Sequence, residues 1–168
     1  MSKLVHRDTL RAAVLTMAIV GGFSSSAFAG DDDDLRWGIT IWGLSYHVNK
    51  SIDYAADNWG VGLRYYATRH FFVEGDALRN SNRGLVLPVS FGAELGMGTL
   101  FHVCHVSAVG AATLAYYQNP RTGTNYYKVG PVPGAAFGCG RFKTNVVAVL
   151  SPSSQPLAAV AASLTVLF

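Results

Sequence analysis

From residue 35 onward, the chain is a succession of segments of about ten residues, rich in Val, Leu, Phe, Tyr and Thr and separated by turn residues. Within each segment apolar side chains alternate with small or polar ones, which is the period-two pattern of strands with two different faces. A strand that crosses a membrane needs about 9–11 residues. No segment after residue 29 reaches 18 consecutive apolar residues, so the pattern predicts membrane-crossing strands rather than a helix.

Eight segments have this pattern, at 35–46, 58–67, 70–79, 84–97, 100–116, 127–139, 142–150 and 157–168. Single-chain bacterial barrels have an even number of strands, and closure removes the sheet edge that lipid cannot satisfy. The predicted fold class is therefore all-β, an eight-stranded antiparallel transmembrane β-barrel over residues 35–168.

The connections between these segments alternate in length. Those after the second, fourth and sixth are "TR", "GT" and "GR", whereas the others, such as "HVNKSIDYAAD" and "YQNPRTGTNY", are longer. Outer-membrane barrels have short periplasmic turns and longer outer loops, so we expect the N-terminus to lie in the periplasm. The final "ASLTVLF" resembles the C-terminal signature of such barrels, and the expected location is the bacterial outer membrane.

The N-terminus has the features of a secretory signal peptide over residues 1–29: a positive start, an apolar core and the cleavage-type sequence "AFA". Its removal would leave a short acidic tail at 30–34 and a net charge near +1, from 10 Lys+Arg and 9 Asp+Glu. The high isoelectric point then gives no reason to expect a nucleic-acid partner.

Alternation also assigns side chains to the lumen. Arg64, Glu74, Asp76 and Glu94 are predicted to face inward, and we expect Arg64 to pair with one of the three carboxylates, because an unpaired buried charge is costly. Many other inward positions are Gly, Ala, Ser or Pro, which leaves room for a small ligand in the outer half of the lumen. Gly92 is the candidate floor of that pocket.

The topology brings together polar residues that are far apart in sequence. His47 ends the first strand at the outer rim, and Asn80 and Ser81 follow the third strand at the same rim. A histidine, a hydroxyl and an amide are the components of a base–nucleophile–orienter group. The alternative is an ordinary polar loop.

Two further features mark the outer end. Cations fall in or beside the outer loops, where they could bind lipid phosphates or simply be solvated: Lys50, Arg79, Arg83, Arg121 and Lys128. Prolines lie near the outer strand ends, at Pro88, Pro131, Pro133 and Pro152. Because proline removes a ladder donor, these positions either let a lipid chain pass through the wall or merely begin and end loops.

The two cysteines can be placed by pairing arithmetic. If Tyr116 pairs near Lys128, Cys104 lies almost opposite Cys139, and an exported chain meets conditions in which a disulfide can form. The five histidines are scattered along the chain, so neither a metal site nor a cofactor is predicted.

The stretches "LSYHVNKSIDYAADNWGVGL", "DALRNSNRGLVLPVSFGAEL" and "PVPGAAFGCGRFKTNVVAVLSP", with the terminal strand, resemble the lipid A palmitoyltransferase family. The resemblance implies an eight-stranded barrel with an inner acyl pocket that transfers a palmitoyl chain from a phospholipid to lipid A. It implies membrane lipids as partners. No cofactor is expected, and the chain is expected to be a monomer. The family's functional residues correspond to His47, Asn80 and Ser81.

The chain also departs from that family. The family has an aspartate at the position of Asn80. An amide stabilises an imidazolium less well than a carboxylate does. Asp53 or Asp57 are therefore candidates for the role of the missing carboxylate. The family's N-terminal amphipathic helix has no counterpart. A related acyl transfer, a hydrolase or an inactive relative therefore stay open.

Two other functions compete with acyl transfer. One is a lipid A deacylase that uses the His-x-Ser sequence His105–Val106–Ser107, although its predicted depth is in the inner half of the barrel. The other is a non-enzymatic structural or ligand-binding barrel.

Overall fold

The computed structural model describes residues 35–47, 58–81, 83–100, 103–120, 122–150 and 157–168. These residues form eight antiparallel strands that pair in chain order, and β1 also pairs with β8, which closes the barrel. The strands are β1 (Trp37–His47), β2 (Gly60–Tyr66), β3 (Phe71–Arg79), β4 (Leu85–Leu100), β5 (Cys104–Asn119), β6 (Thr124–Cys139), β7 (Phe142–Leu150) and β8 (Leu157–Leu167). The predicted all-β class and the closed eight-stranded barrel are confirmed.

The described residues contain no helix with the length and apolar character needed to cross a membrane. Several predicted features lie outside the described residues: the signal peptide 1–29, the tail 30–34, Lys50, Asp53, Asp57, Arg121 and Pro152.

The predicted strand boundaries agree with the structure to within four residues, and the largest consequence lies between β5 and β6. The stretch "YQNPRTGTNY" was predicted as a long loop, but the two strands extend into it and leave only residues 120–123 as the connection. Gly123 has a φ of 68°, in the left-handed region that glycine adopts without steric cost. The prediction of a long loop is therefore wrong, and β5 and β6 form a continuous hairpin.

The connections give the barrel two distinct ends. We call the end with the β1–β2, β3–β4, β5–β6 and β7–β8 connections the loop rim, and the opposite end the turn rim. At the turn rim, β6 and β7 are joined by Gly140 and Arg141 alone. Gly140, with a φ of 56°, again supplies a left-handed turn position.

Charged side chains fill the lumen next to the turn rim. Arg64 forms an ion pair with Glu74, and its Nη1 lies 3.0 Å from Oε1 of Glu94. Nζ of Lys143 lies 2.7 Å from Oε2 of the same Glu94. The predicted pairing of Arg64 with Glu74 and Glu94 is confirmed. The third candidate, Asp76, accepts a hydrogen bond from Nε1 of Trp42 at 2.9 Å.

Neutral groups extend this network around the wall. Asn145 accepts from Arg64 at 3.3 Å and donates to the hydroxyls of Ser163 and Thr165 at 3.2 and 3.0 Å. The hydroxyl of Tyr66 donates to Glu94 at 2.5 Å. All of these side chains except that of Lys143 are buried, so polar partners replace water here. We call the six residues Arg64, Tyr66, Glu74, Glu94, Lys143 and Asn145 the polar plug.

The apolar side chains lie mainly on the outside of the barrel. The first four outward-facing residues of β4 are exposed, as alternation predicted, whereas Ala93 is buried and Leu95 is half-buried. Exposed apolar side chains occur all around the wall: Ile39, Ile41, Leu63, Phe71, Val73, Leu85, Leu87, Val89, Phe91, Val129, Val146 and Leu164. The molecule thus has an apolar exterior and, near the turn rim, a polar interior.

Cys104 and Cys139 pair directly across β5 and β6 and are joined by a disulfide, with their Cα atoms 4.3 Å apart. The prediction that they are close, and that they form a bond, is confirmed. The register differs by one residue from the one assumed, because Tyr116 pairs with Tyr127 rather than beside Lys128.

Candidate active site at the loop rim

A β-bulge in β1 determines the direction of His47. The pairing of β1 with β8 shifts by one residue between Trp42 and Leu44, so Gly43 is an extra residue. After the bulge Leu44 is exposed, whereas Ser45 and His47 are half-buried on the lumen side. Uninterrupted alternation would have turned Ser45 and His47 outward, and such re-aiming of side chains is a known effect of bulges.

The structure brings His47 and Ser81 into contact, although 34 residues separate them. Nε2 of His47 lies 2.7 Å from Oγ of Ser81, a distance that suits proton transfer from the hydroxyl to a neutral imidazole. His47 is the last residue of β1, at the loop rim. Its partial burial lowers the pKa of the imidazole, because desolvation disfavours the charged form. The neutral base is therefore favoured.

Asn80 is bound into the β3–β4 loop. Its Oδ1 accepts a hydrogen bond from the backbone N–H of Gly84 at 2.8 Å, and its Nδ2 donates to the backbone oxygen of Gln118 at 3.0 Å. These two bonds attach the loop to the end of β5 and thereby help to set the position of Ser81. The structure thus gives Asn80 an anchoring role, while the orientation of His47 by its amide stays a prediction.

Asn58 belongs to the site, although the sequence did not single it out. Its Nδ2 donates to the hydroxyl of Ser45 and lies 3.4 Å from Oγ of Ser81, and Oγ of Ser45 lies 3.4 Å from Nε2 of His47. Asn58 stands just before β2 in "DNWG", a sequence with ordinary turn composition. Only the pairing of β1, β2 and β3 reveals the contact. We call His47, Ser81, Ser45 and Asn58 the rim cluster.

Three of the predicted phosphate-binding cations lie within the described residues. Arg79 is half-buried at the end of β3, and Arg83 is exposed in the following loop with a φ of 66°. Lys128 is exposed on β6, with its Nζ 5.8 and 5.6 Å from the ring centroids of Tyr117 and Tyr126. Those rings stack at 5.3 Å. All three cations are in the loop-rim half of the barrel.

Between the rim cluster and the polar plug, the wall has small or apolar inward-facing side chains that remain partly exposed. They are Leu78, Ser90, Thr113, Val132 and Ala161. The plug side chains, apart from Lys143, are buried. Other inward-facing side chains of the loop-rim half, Val86, Ala115 and Ala159, are buried as well, so room for a ligand in this half stays a prediction.

Gly92 lies at the boundary between these two halves. A Cβ atom at Gly92 would come within 2.7 Å of Cε1 of Phe72, whose ring is buried and lies 4.4 Å from the guanidinium carbon of Arg64. The space that Gly92 leaves is thus taken by Phe72. A floor of an acyl pocket at Gly92 stays a prediction, and the ring of Phe72 would be part of it.

Backbone pairing is interrupted beside three of the prolines. Within the described strands, the β6–β7 pairs end at Gly134↔Val147, just before Pro133 and Pro131 on the way to the loop rim. The β3–β4 pairs likewise skip the position of Pro88. These breaks follow from the missing proline N–H groups and leave the wall without a continuous ladder in its loop-rim half.

His105 and Ser107 lie at the opposite end, in the first turn-rim residues of β5 next to the disulfide. Among the residues that the structure describes, no group of three or more His, Cys, Asp or Glu side chains is placed to hold a metal ion. No protein-family model matches the chain, and no curated protein matches it. What the rim cluster does must therefore be inferred from its own chemistry.

Proposed function

We propose that the protein is an outer-membrane acyltransferase that moves an acyl chain from a phospholipid to lipid A, with its reacting groups in the rim cluster. The observation that carries the proposal is the 2.7 Å contact between Oγ of Ser81 and Nε2 of His47. A hydroxyl bonded to a neutral imidazole is an activated nucleophile for acyl transfer. The resemblance to lipid A palmitoyltransferases points to the same two residues.

The exterior of the barrel supports a membrane location. Large aliphatic and aromatic side chains remain exposed around the wall, for example Ile41 at 49 %, Val61 at 57 % and Phe91 at 59 %. An apolar surface that surrounds the molecule would be unfavourable in water but matches the lipid-facing band of an outer-membrane barrel. Closure of the sheet removes the open edge strands whose backbone groups lipid cannot satisfy.

In the proposed reaction, Oγ of Ser81 attacks the ester carbonyl carbon of the phospholipid, and its proton moves to Nε2 of His47. The ester C–O bond breaks, and the lysophospholipid leaves with the proton from His47. A lipid A hydroxyl then gives its proton to His47 and attacks the acyl-serine ester. Ser81 regains the proton as the acylated lipid A leaves, so no cofactor is consumed.

The surroundings of the rim cluster suit these substrates. The acyl chain would lie among the small side chains of the loop-rim half, above Phe72, and could enter sideways where the ladder stops at Pro133. Arg79, Arg83 and Lys128 would bind phosphate groups of the two lipids through charge-assisted hydrogen bonds.

Mass spectrometry of lipid A tests the proposal. Lipid A from bacteria that express the protein should gain the mass of one acyl chain, and the gain should disappear with Ser81→Ala or His47→Ala. Ser107→Ala is the matched control, because its hydroxyl lies at the turn rim, and it should behave as the wild type.

Each other outcome overturns the proposal in a distinct way. Loss of an acyl chain from lipid A that requires Ser107 but not Ser81 would indicate a deacylase. Unchanged lipid A with every protein, while heat-modifiable migration in gels shows that the barrels are folded and membrane extraction shows insertion, would indicate a non-enzymatic barrel.

A further inference from the structure

We propose that Asn58 is the positioning residue of the rim cluster: its amide N–H groups donate to the hydroxyls of Ser45 and Ser81 and thereby turn both hydroxyl protons toward Nε2 of His47. Its effect on catalysis rests on the function proposed above. The arrangement of protons rests only on the geometry of the four side chains.

The first step is the count of donors. An asparagine amide nitrogen has two N–H groups, and a serine hydroxyl has one proton and can accept as well. Nδ2 of Asn58 donates to Oγ of Ser45 and lies 3.4 Å from Oγ of Ser81. Each hydroxyl oxygen that accepts from Asn58 keeps its own proton for another acceptor.

The second step is the acceptor. Nε2 of His47 lies 2.7 Å from Oγ of Ser81 and 3.4 Å from Oγ of Ser45, so its single lone pair accepts mainly from Ser81, with Ser45 as a weak second donor. Nε2 accepts only if it has no proton, and a neutral imidazole then carries its proton on Nδ1. The donation from Asn58 therefore selects the tautomer in which His47 can act as a base. Ser81, at the shorter distance, is the hydroxyl that it deprotonates.

The oxygen of the Asn58 amide shows whether this side chain takes part in the rim cluster as a donor or as an acceptor. Oδ1 of Asn58 is buried and has no hydrogen-bond partner among the described residues. Asn58 thus enters the rim cluster through its donors. If the amide were reversed, Oδ1 would draw both hydroxyl protons away from His47, and Nε2 would have to carry the proton itself. The two orientations therefore predict opposite tautomers of His47.

The consequence for the reaction follows from charge. As Ser81 loses its proton to His47, partial negative charge grows on Oγ until its bond to the carbonyl carbon forms, and the N–H of Asn58 stabilises that charge. Loss of a well-placed donor to the carbonyl oxyanion of a tetrahedral intermediate typically costs about 10²–10³ in rate. Because Asn58 faces the attacking oxygen and its contact to Ser81 is long, we expect a smaller loss here, about 10- to 100-fold.

Nitrogen NMR of the barrel in phospholipid nanodiscs tests the proposal. The histidines are labelled with ¹⁵N, and the His47→Ala variant assigns the signals of His47. In the wild type the shifts should show Nδ1–H and an unprotonated Nε2. Asn58→Asp keeps the shape but replaces donors with acceptors, so His47 should change to Nε2–H and the rate of acyl transfer should fall. Asn125→Asp, an exposed position on β6, is the charge-matched control and should match the wild type.

An Nε2–H tautomer in the wild type, or wild-type tautomer and transfer rate in Asn58→Asp, would overturn the proposal. If Asn58→Asp does not fold, Asn58→Ala serves instead, and it should give a mixture of tautomers. A wild type with the expected tautomer but no transfer activity would refute the proposed function while leaving the positioning by Asn58 intact.

Discussion

The two halves of the lumen use polar side chains in opposite ways. In the polar plug, Arg64 and Lys143 share Glu94, and the charged groups are removed from water. In the rim cluster, His47 and its neighbours are neutral donors and acceptors that are only half-buried. A buried ion network is costly to break, whereas an open neutral cluster can exchange partners with a substrate. We therefore expect changes in the plug to alter stability and changes in the rim cluster to alter activity.

The largest expected effect is the loss of activity in His47→Ala and Ser81→Ala. Removal of a general base or its nucleophile should lower the rate of acyl transfer by about 10²- to 10⁴-fold. The free energy of unfolding should change by less than about 1 kcal/mol, because neither side chain belongs to the plug. Transfer of a labelled acyl chain to lipid A and unfolding in guanidinium measure the two quantities. A large loss of stability in either variant would show that the rim cluster contributes to folding as the polar plug does.

Glu94→Ala should have the opposite effect. It leaves Arg64 and Lys143 without their shared partner, so the free energy of unfolding should fall by about 3–5 kcal/mol. Tryptophan fluorescence during guanidinium unfolding in lipid vesicles measures the change. Lys128→Met, a cation at the loop rim, is the control and should change stability by less than about 1 kcal/mol. Equal stability of Glu94→Ala and the wild type would contradict the role of the plug.

Asn80→Asp tests whether the family carboxylate would improve this site. The change replaces the Nδ2 donor with an acceptor facing the backbone oxygen of Gln118, 3.0 Å away. We expect the β3–β4 loop to lose about 1–3 kcal/mol of stability. Acyl transfer should become slower rather than faster. Limited proteolysis of the β3–β4 loop and transfer rates measure both effects. Faster transfer would instead assign Asn80 the orienting role.

The smallest effect concerns pH. Desolvation lowers the pKa of His47 below 6.5, so the neutral base persists as the pH falls toward that value. Transfer should therefore decline as His47 is protonated, with a midpoint below pH 6.5. Initial rates across neutral and acid pH measure the midpoint. A midpoint above 6.5 would mean that a nearby negative charge outweighs desolvation.

Sequence patterns predicted the wall better than the site. Strand number, closure, the partners of Arg64 and the disulfide follow from period two and from antiparallel pairing, which act along the whole chain. The bulge at Gly43 was missed, although the sequence carries two signals of it: a glycine inside the strand, and a shift of the apolar positions from Ile39 and Ile41 to Leu44 and Tyr46. Asn58 was missed because its local sequence indicates only a turn.

The β5–β6 connection was misjudged because its composition is that of a loop. Paired side chains nevertheless extend the ladder through it: Tyr116 faces Tyr127, and Tyr117 stacks on Tyr126 with their planes 6° apart. Cross-strand aromatic pairs of this kind stabilise a hairpin beyond what turn-forming residues suggest.

The bond between Cys104 and Cys139 has a consequence for how the barrel assembles. It joins the β5–β6 hairpin at the end farthest from its turn, so the ring that it closes holds both strands in one register. A slip of one residue would exchange their lumen and outer faces and separate the two sulfur atoms. In an exported chain, oxidation before insertion would therefore select correctly paired hairpins, and two of the eight strands would reach the membrane already aligned.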